Sequence, residues 1–187
     1  YGYNGEDGLY SRSPATARWL DSAFRPVIDS ALSSRGHIPG ELVFALDDRN
    51  PRAGLYDGGL GERFSNGWGS AAHIPSILIE NHSLKPHEQR VLGTYVFLEA
   101  AMRLLAERGL ELRAAWQADA ALRPAEIPAN FAPADAPIGT RQFLGIRYET
   151  YESPASGRTE IRWLGEPDPE PWQMPFYGSR SSLSLNR

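Results

Sequence analysis

The feature that most constrains the fold of this chain is an apolar run that ends abruptly in a polar cluster. The apolar residues 77–79 are followed directly by Glu80, and then by an amide, an imidazole and a hydroxyl at 81–83. A short β-branched run of this kind is typical of a buried strand, so we predict an interior strand over Ser76–Glu80. In open α/β sheets, chemistry collects outside the carboxyl ends of strands. The sequence therefore predicts that Glu80 projects into a cleft at the end of this strand.

A long amphipathic helix is predicted directly after the polar cluster, from Pro86 to about Arg108. Its apolar residues recur at spacings of four and three, which places them on one helical face. This predicted stripe consists of Val91, Tyr95, Leu98, Met102 and Leu105. We expect the stripe to pack against the sheet that carries Glu80. Gly109 is predicted to end the helix, and 111–122 to form another.

The rest of the chain divides into shorter predicted elements. Ser13 is a good N-cap for a helix that ends at Gly36 and is interrupted at Pro26. A strand is predicted over residues 41–46, and the Gly- and Asp-rich stretch 47–69 is predicted to be an extended loop. Two further strands, 143–151 and 159–164, are predicted to form a hairpin. We therefore expect three parts, which are a catalytic-type domain over 1–122, a Pro/Ala-rich linker over 123–139, and a small β-hairpin region with an irregular tail over 140–187.

Composition excludes several classes of function. The net charge of −4 gives no electrostatic reason to expect a nucleic-acid partner. The chain has no cysteine, which excludes disulfides and cysteine-ligated metals. It also contains no apolar run long enough to span a membrane.

Residues 79–86, followed by 89–95, resemble the catalytic-glutamate strand of the bacterial zinc carboxypeptidases, which are carboxypeptidase A-like metallopeptidases. The resemblance begins at residues 1–5, runs through 39–40 and 64–67, and covers the chain to about residue 110. A weaker match follows at residues 141–146.

This resemblance implies an α/β fold, the C-terminal part of a mixed-sheet α/β/α carboxypeptidase-like fold with a small β-rich tail. It implies that the chain belongs to a longer parent, secreted or periplasmic, that cleaves peptide or peptide-like amide bonds. In that family the residue matching Glu80 takes a proton from a zinc-bound water and gives it to the departing amine. The zinc ligands are expected upstream of Tyr1, so none is assigned here and the isolated chain is expected to be inactive.

Four further residues are candidates for substrate binding. In the family, the loop before the glutamate strand carries a tyrosine that closes over the C-terminal end of the substrate, and Tyr56 stands at a compatible distance upstream of Glu80. Ser65, Asn66 and Trp68 lie nearer to the predicted strand and are expected to line a side-chain pocket. Core packing is an equally good explanation for Trp68.

Several alternatives remain open for the charged residues. Glu80 could instead be a strand-terminal residue in an ion pair with Arg63 or Arg90. His82 lies two residues after Glu80, and a hydrogen bond that fixes the loop is a better expectation for it than metal ligation. A glycosidase would use Asp48 and Glu80 as its paired carboxylates. The alternative of a different class is a non-catalytic peptide- or glycan-binding module with a degenerate peptidase fold.

Overall fold

The computed structural model describes residues 1–3, 5, 12–57, 61–83, 85–164 and 170–186. The chain contains both helices and strands, and its largest sheet is mixed, so the α/β class is confirmed. Two compact units are present: Tyr1–Leu42 with Gly59–Ala132 and Ser179–Arg187, and Val43–Gly58 with Pro133–Gly178. No helix in the described part of the chain is long and apolar enough to cross a membrane.

The helices are α1 (Pro14–Trp19), a π-helical segment (Leu20–Phe24), α2 (Arg25–Ser34), a 3-10 turn (Pro51–Ala53), α3 (Ser65–Ala71) and α4 (His87–Ala120). The strands are β1 (Phe44–Ala45), β2 (Leu55–Tyr56), β3 (Glu126–Pro133), β4 (Gly139–Gly145), β5 (Tyr148–Glu152), β6 (Thr159–Trp163), β7 (Glu170–Tyr177) and β8 (Ser179–Asn186).

The first helical stretch changes its winding just before Pro26. Proline has no backbone N–H, and its ring clashes with the carbonyl four residues earlier in an ordinary helix. The chain responds by widening into the π-helical segment, and the N–H of Arg25 reaches back five residues to the carbonyl of Leu20. The predicted interruption at Pro26 is therefore confirmed, and α1 and α2 continue one another through it.

Gly36 ends α2 as predicted, because it adopts a left-handed conformation with φ of 77°. The N–H of His37 then returns to the carbonyl of Leu32 at 3.0 Å, and that of Gly36 to Ser33 at 3.0 Å. These two hydrogen bonds fix the direction in which the chain leaves the helix.

The helix α4 is continuous through Gly109, so the predicted division into two helices is wrong. A glycine in a helix costs only about 1 kcal/mol relative to alanine, and nothing lies within 4 Å of the position that a Cβ would take there. One interior glycine is thus too weak a signal to end a helix of 34 residues.

The predicted apolar stripe of α4 is on the wrong face. Its members are exposed, from 43% for Leu105 to 70% for Met102. The buried face instead carries Gly93, Val96, Phe97, Ala100 and Leu104. Both sets recur at helical spacing, so periodicity alone could not decide which one meets the core.

The core of the first unit is helical. Residues of α1, the π-helical segment and α2 pack against the buried face of α4, and the core members are Trp19, Leu20, Ala23, Phe24, Ile28, Leu32, Val96, Phe97, Ala100 and Leu104. Phe24 and Phe97 meet edge to face, with ring centroids 5.8 Å apart. The ring of Tyr1 lies 5.1 Å from that of Phe97, so the start of the chain is part of this core.

The predicted interior strand over Ser76–Glu80 is absent. Within the part of the chain that the structure describes, Leu78 alone of these residues pairs, in one antiparallel bridge with Gly2. The apolar residues Ile77 and Ile79 are partly buried against the helical core, so helices cover the run where we expected a sheet. An apolar run of this length cannot by itself identify the element that covers it.

The second unit is built on a four-stranded sheet with the order β1-β2-β7-β4. β2 runs parallel to β7, and the other two pairs are antiparallel. Its small core contains Leu55, Trp172, Met174 and Phe176. The indole of Trp172 covers Gly145, where a Cβ would lie 2.2 Å from the ring, so this strand end requires glycine.

Several predicted boundaries change in and around this unit. The strand predicted over 41–46 shrinks to β1, and the one predicted over 143–151 is divided between β4 and β5. The hairpin of β5 with β6 is as predicted. The predicted loop 47–69 contains β2 and the start of α3, the predicted linker contains β3, and the predicted irregular tail contains β7 and β8. β3 and β8 pair with one another in a separate two-stranded sheet.

Candidate functional site

The chain approaches Glu80 through a tight turn after α3. His73 adopts a positive φ of 59°, and the N–H of Ile74 returns to the carbonyl of Gly69 at 2.7 Å. A Cβ on Gly69 would lie 2.0 Å from Ser76 Oγ and 2.8 Å from the carbonyl oxygen of Ile74. The turn therefore needs glycine at 69, and it sets the start of the segment that carries Glu80.

A single β-bridge then fixes this segment beside the first residues of the chain. The N–H of Gly2 donates to the carbonyl of Leu78 at 2.9 Å, and the N–H of Leu78 donates to Gly2 at 2.8 Å. A Cβ on Gly2 would lie 2.6 Å from Leu42 Cβ, so the close approach on its other side also depends on glycine. These contacts hold the backbone two residues before Glu80.

Two tyrosines flank Gly2, the other partner of this bridge, and anchor it to the helical core. Tyr1 Oη donates to Asp29 Oδ1 at 2.7 Å, and Tyr3 Oη donates to Asp21 Oδ1 at 2.8 Å while accepting from Arg25 Nε at 2.7 Å. Burial raises the pKa of Tyr3 above its usual value, although Arg25 lowers it, and burial with the Asp29 hydrogen bond raises the pKa of Tyr1. Both phenols thus remain protonated donors around neutral pH.

The residue after Glu80 is tied to α4. Asn81 Nδ2 donates to Thr94 Oγ1 at 2.9 Å, and Thr94 Oγ1 donates in turn to the carbonyl of Arg90 at 3.0 Å. The threonine hydroxyl thus has a fixed direction, with one acceptor and one donor partner. We refer to the Asn81–Thr94 hydrogen bond as the clamp.

The ring of His37, which follows α2, lies near Gly93 of α4. A Cβ on Gly93 would lie 3.4 Å from His37 Nδ1 and 3.6 Å from Asn81 Oδ1. Both are ordinary van der Waals distances, so this position does not require glycine. Sequence reasoning missed Asn81 and Thr94 as a hydrogen-bonded pair.

Glu80 itself is exposed. Among the residues that the structure describes, neither Arg63 nor Arg90 forms an ion pair with it, so that alternative for Glu80 is wrong. The guanidinium of Arg63 lies instead over the ring of Phe64, 5.2 Å from its centroid. His82 is also exposed.

The three candidates near residue 66 share α3 but differ in burial. Asn66 is only 4% exposed, and its Oδ1 has no hydrogen-bond partner. Trp68 is 60% exposed, which rules out core packing as the explanation for its size. Ser65 is exposed at the first position of the helix. The extended loop predicted here is thus a helix that presents one indole outward and one amide inward.

Tyr56 and Asp48 belong to the second unit, whereas Glu80 and α3 belong to the first. Tyr56 lies in β2, opposite Phe44 of β1, with ring centroids 5.7 Å apart. It is a sheet residue, where we expected a loop residue. Asp48 is exposed in the turn after β1.

A separate cleft of about 530 Å³ lies within the second unit. Arg52 stacks on Trp172, with its guanidinium carbon 4.6 Å from the ring centroid. Arg52 and Arg147 approach Glu170 from two sides at 3.5 and 3.8 Å. The full lining is Arg52, Arg147, Tyr148, Glu149, Thr150, Leu164, Glu170 and Trp172.

The region around Glu80 presents an accessible carboxylate on a segment held at both sides, by the bridge at Leu78 and by the clamp at Asn81. Such a group can accept a proton from water and return it. No group of three or more His, Cys, Asp or Glu side chains in the described residues is arranged to hold a metal ion. Comparisons with protein-family models, with curated proteins and with solved structures found no match to this chain.

Proposed function

We propose that this chain is the part of a zinc carboxypeptidase-like hydrolase that carries the catalytic glutamate. The observation that carries the proposal is the sequence of residues 79–86, which resembles the catalytic-glutamate motif of that family. The placement of Glu80 supports it, because the carboxylate is accessible on a backbone fixed at Leu78 and Asn81. Catalytic groups need such fixed placement, since small displacements are costly in rate.

In this proposal Glu80 is the general base and then the general acid. Its carboxylate takes a proton from the attacking water and passes that proton to the amine that leaves when the amide bond breaks. The substrate is a peptide or a peptide-like amide. The finer fold, a mixed-sheet α/β/α carboxypeptidase-like domain, is part of the same proposal.

The described residues do not fit a zinc site on their own. A catalytic zinc is usually held by three protein ligands, and no such set is present among them. The proposal therefore places the zinc ligands in other parts of a longer protein, and this chain alone is inactive.

The outer face of α4 also supports a larger domain. The stripe from Val91 to Leu105 is apolar and exposed, and a helix that is apolar on two faces is typical of one buried between two layers. The described chain supplies one layer, the helical core. A sheet from the rest of the proposed domain would supply the other.

The decisive experiment changes Glu80 to Gln in the proposed longer protein, loaded with zinc. Glutamine keeps the shape of the side chain and removes proton transfer, so peptide hydrolysis should fall at least about a hundredfold. Glu88→Gln is the matched control, because Glu88 is an exposed glutamate on the first turn of α4. Near-normal turnover by Glu80→Gln would remove Glu80 from the mechanism.

The cleft in the second unit favours a second candidate function, a non-catalytic module that binds peptide or glycan. Its aromatic and arginine side chains are suited to stacking and to hydrogen bonding with a carboxylate. Isothermal titration of the chain with acidic peptides and with acidic oligosaccharides tests this function. Binding that is lost in Arg52→Ala and kept in Glu80→Gln would assign binding to the second unit alone.

A further inference from the structure

We infer that Asn81 and Thr94 are positioning residues for Glu80. This inference rests on the proposed function of Glu80. It gives a positioning role to two residues that the resemblance leaves unassigned, and the hydrogen bond between them is the contact to remove.

The clamp constrains the segment that presents Glu80. Asn81 is adjacent to Glu80 in the chain, so the direction of its side chain constrains the backbone that presents the carboxylate. Its Nδ2 donates to Thr94 Oγ1 at 2.9 Å in a partly buried position, where a hydrogen bond is less exposed to competition from water. The donation of Thr94 Oγ1 to the carbonyl of Arg90 at 3.0 Å leaves the hydroxyl oxygen oriented as an acceptor.

Thr94 lies on a rigid element, the helix α4. It is the eighth residue of a helix of 34 residues whose buried face packs on the helical core. The acceptor therefore belongs to a rigid element, which is the better support for a functional group. The bridge at Leu78 holds the other side of the same short segment, so Glu80 lies between two attachment points.

The first test uses the 187-residue chain itself, labelled with ¹⁵N. Thr94→Val keeps the shape of the side chain and removes the acceptor, whereas Thr94→Ser keeps the hydroxyl. We expect Thr94→Val to shift the Asn81 side-chain amide signals and to lower the ¹H–¹⁵N heteronuclear NOE at residues 80–82, because the segment loses one of its two attachment points. Thr94→Ser and the exposed control Thr140→Val should match the wild type. Unchanged Asn81 signals in Thr94→Val would overturn the clamp.

The second test repeats these variants in the longer protein used for Glu80→Gln. Thr94→Val should lower kcat about tenfold with KM nearly unchanged, and Thr94→Ser should restore kcat. A full kcat in Thr94→Val would overturn the positioning role if Glu80→Gln is inactive. If Glu80→Gln is fully active while Thr94→Val still loosens residues 80–82, the proposed function fails and the clamp survives as a structural feature only.

Discussion

Replacing Asp119 should show most sharply what stabilises the helical core. It is completely buried near the end of α4, yet it is an aspartate. Its Oδ1 accepts from the N–H of Ala15 at 2.9 Å, and its Oδ2 accepts from that of Thr16 at 2.8 Å. The carboxylate thus caps the first turn of α1, where exposed N–H groups and the helix dipole favour a negative charge.

The magnitude follows from what Asp119→Ala leaves behind. The backbone N–H of Thr16 would remain buried, and that of Ala15 partly buried, without partners, and each such group costs about 1–3 kcal/mol. Ser13 cannot replace the lost acceptor in place, because its side chain makes no cap hydrogen bond and its Oγ donates to the carbonyl of Ser70 at 2.9 Å. We therefore expect Asp119→Ala to lower the free energy of unfolding by about 2–6 kcal/mol, the sum of the two penalties. Asp119→Asn keeps one acceptor oxygen and should cost less.

Urea unfolding followed by circular dichroism at 222 nm measures this loss on the helical unit. Glu107→Ala is the matched control, since Glu107 is an exposed acidic residue on the same helix, and its removal should change the free energy by less than about 0.5 kcal/mol. A loss below about 1 kcal/mol in Asp119→Ala would refute the reasoning. It would mean that the two N–H groups find water or another acceptor once the carboxylate is gone.

Truncation on the two faces of α4 should lower the free energy of unfolding by different amounts. Phe97→Ala should cost about 3–5 kcal/mol, and Leu98→Ala less than about 0.5 kcal/mol in this chain. Equal losses in urea unfolding would show that the exposed face is covered. Two glycines should also differ. Gly109→Ala should stabilise the chain by about 0.5–1 kcal/mol, whereas Gly69→Ala should destabilise it by about 1–3 kcal/mol because Ser76 must move. A higher melting temperature for Gly69→Ala would contradict the tight turn.

Local signals in the sequence predicted local structure well. Gly36 after an apolar helical pattern was enough to place the end of α2, and Pro26 was enough to place a disturbance before it. The turn between β5 and β6 was found in the same way. Each of these features depends on backbone preferences within a few residues, which the sequence shows directly.

The face of α4 could not be predicted because the competing stripes are both apolar. Choosing between Phe97 and Leu98 as the buried residue requires knowing which other element packs there. The same limit applies to Asp119, whose partners lie about a hundred positions away in the chain. It applies also to β2 and β7, which pair Leu55 with Phe176. Long-range pairing leaves no mark within a short window of sequence.

The candidate site was predicted in part for the same reason. Glu80 was singled out by an abrupt local change from apolar to polar residues, and its catalytic role stays a prediction. The prediction that a strand carries Glu80 was wrong, because helices and not a sheet cover Ile77 and Ile79. The support from Thr94 lies only 13 positions from Asn81, but a threonine on a helix gives no sign of its partner.

The helix α4 supports the first unit at both of its ends, and the two supports act on different scales. Asp119 caps α1, so its loss should raise hydrogen exchange throughout the helical core by lowering the free energy of global opening. Thr94 holds Asn81, so its loss should lower the heteronuclear NOE only at residues 80–82 and leave exchange in the core unchanged. If Asp119→Asn changed only the NOE at 80–82, the helix would be transmitting a local distortion along its length. If Thr94→Val raised exchange throughout the core, the clamp would be part of the global stability, and a specific role in presenting Glu80 would have to be given up.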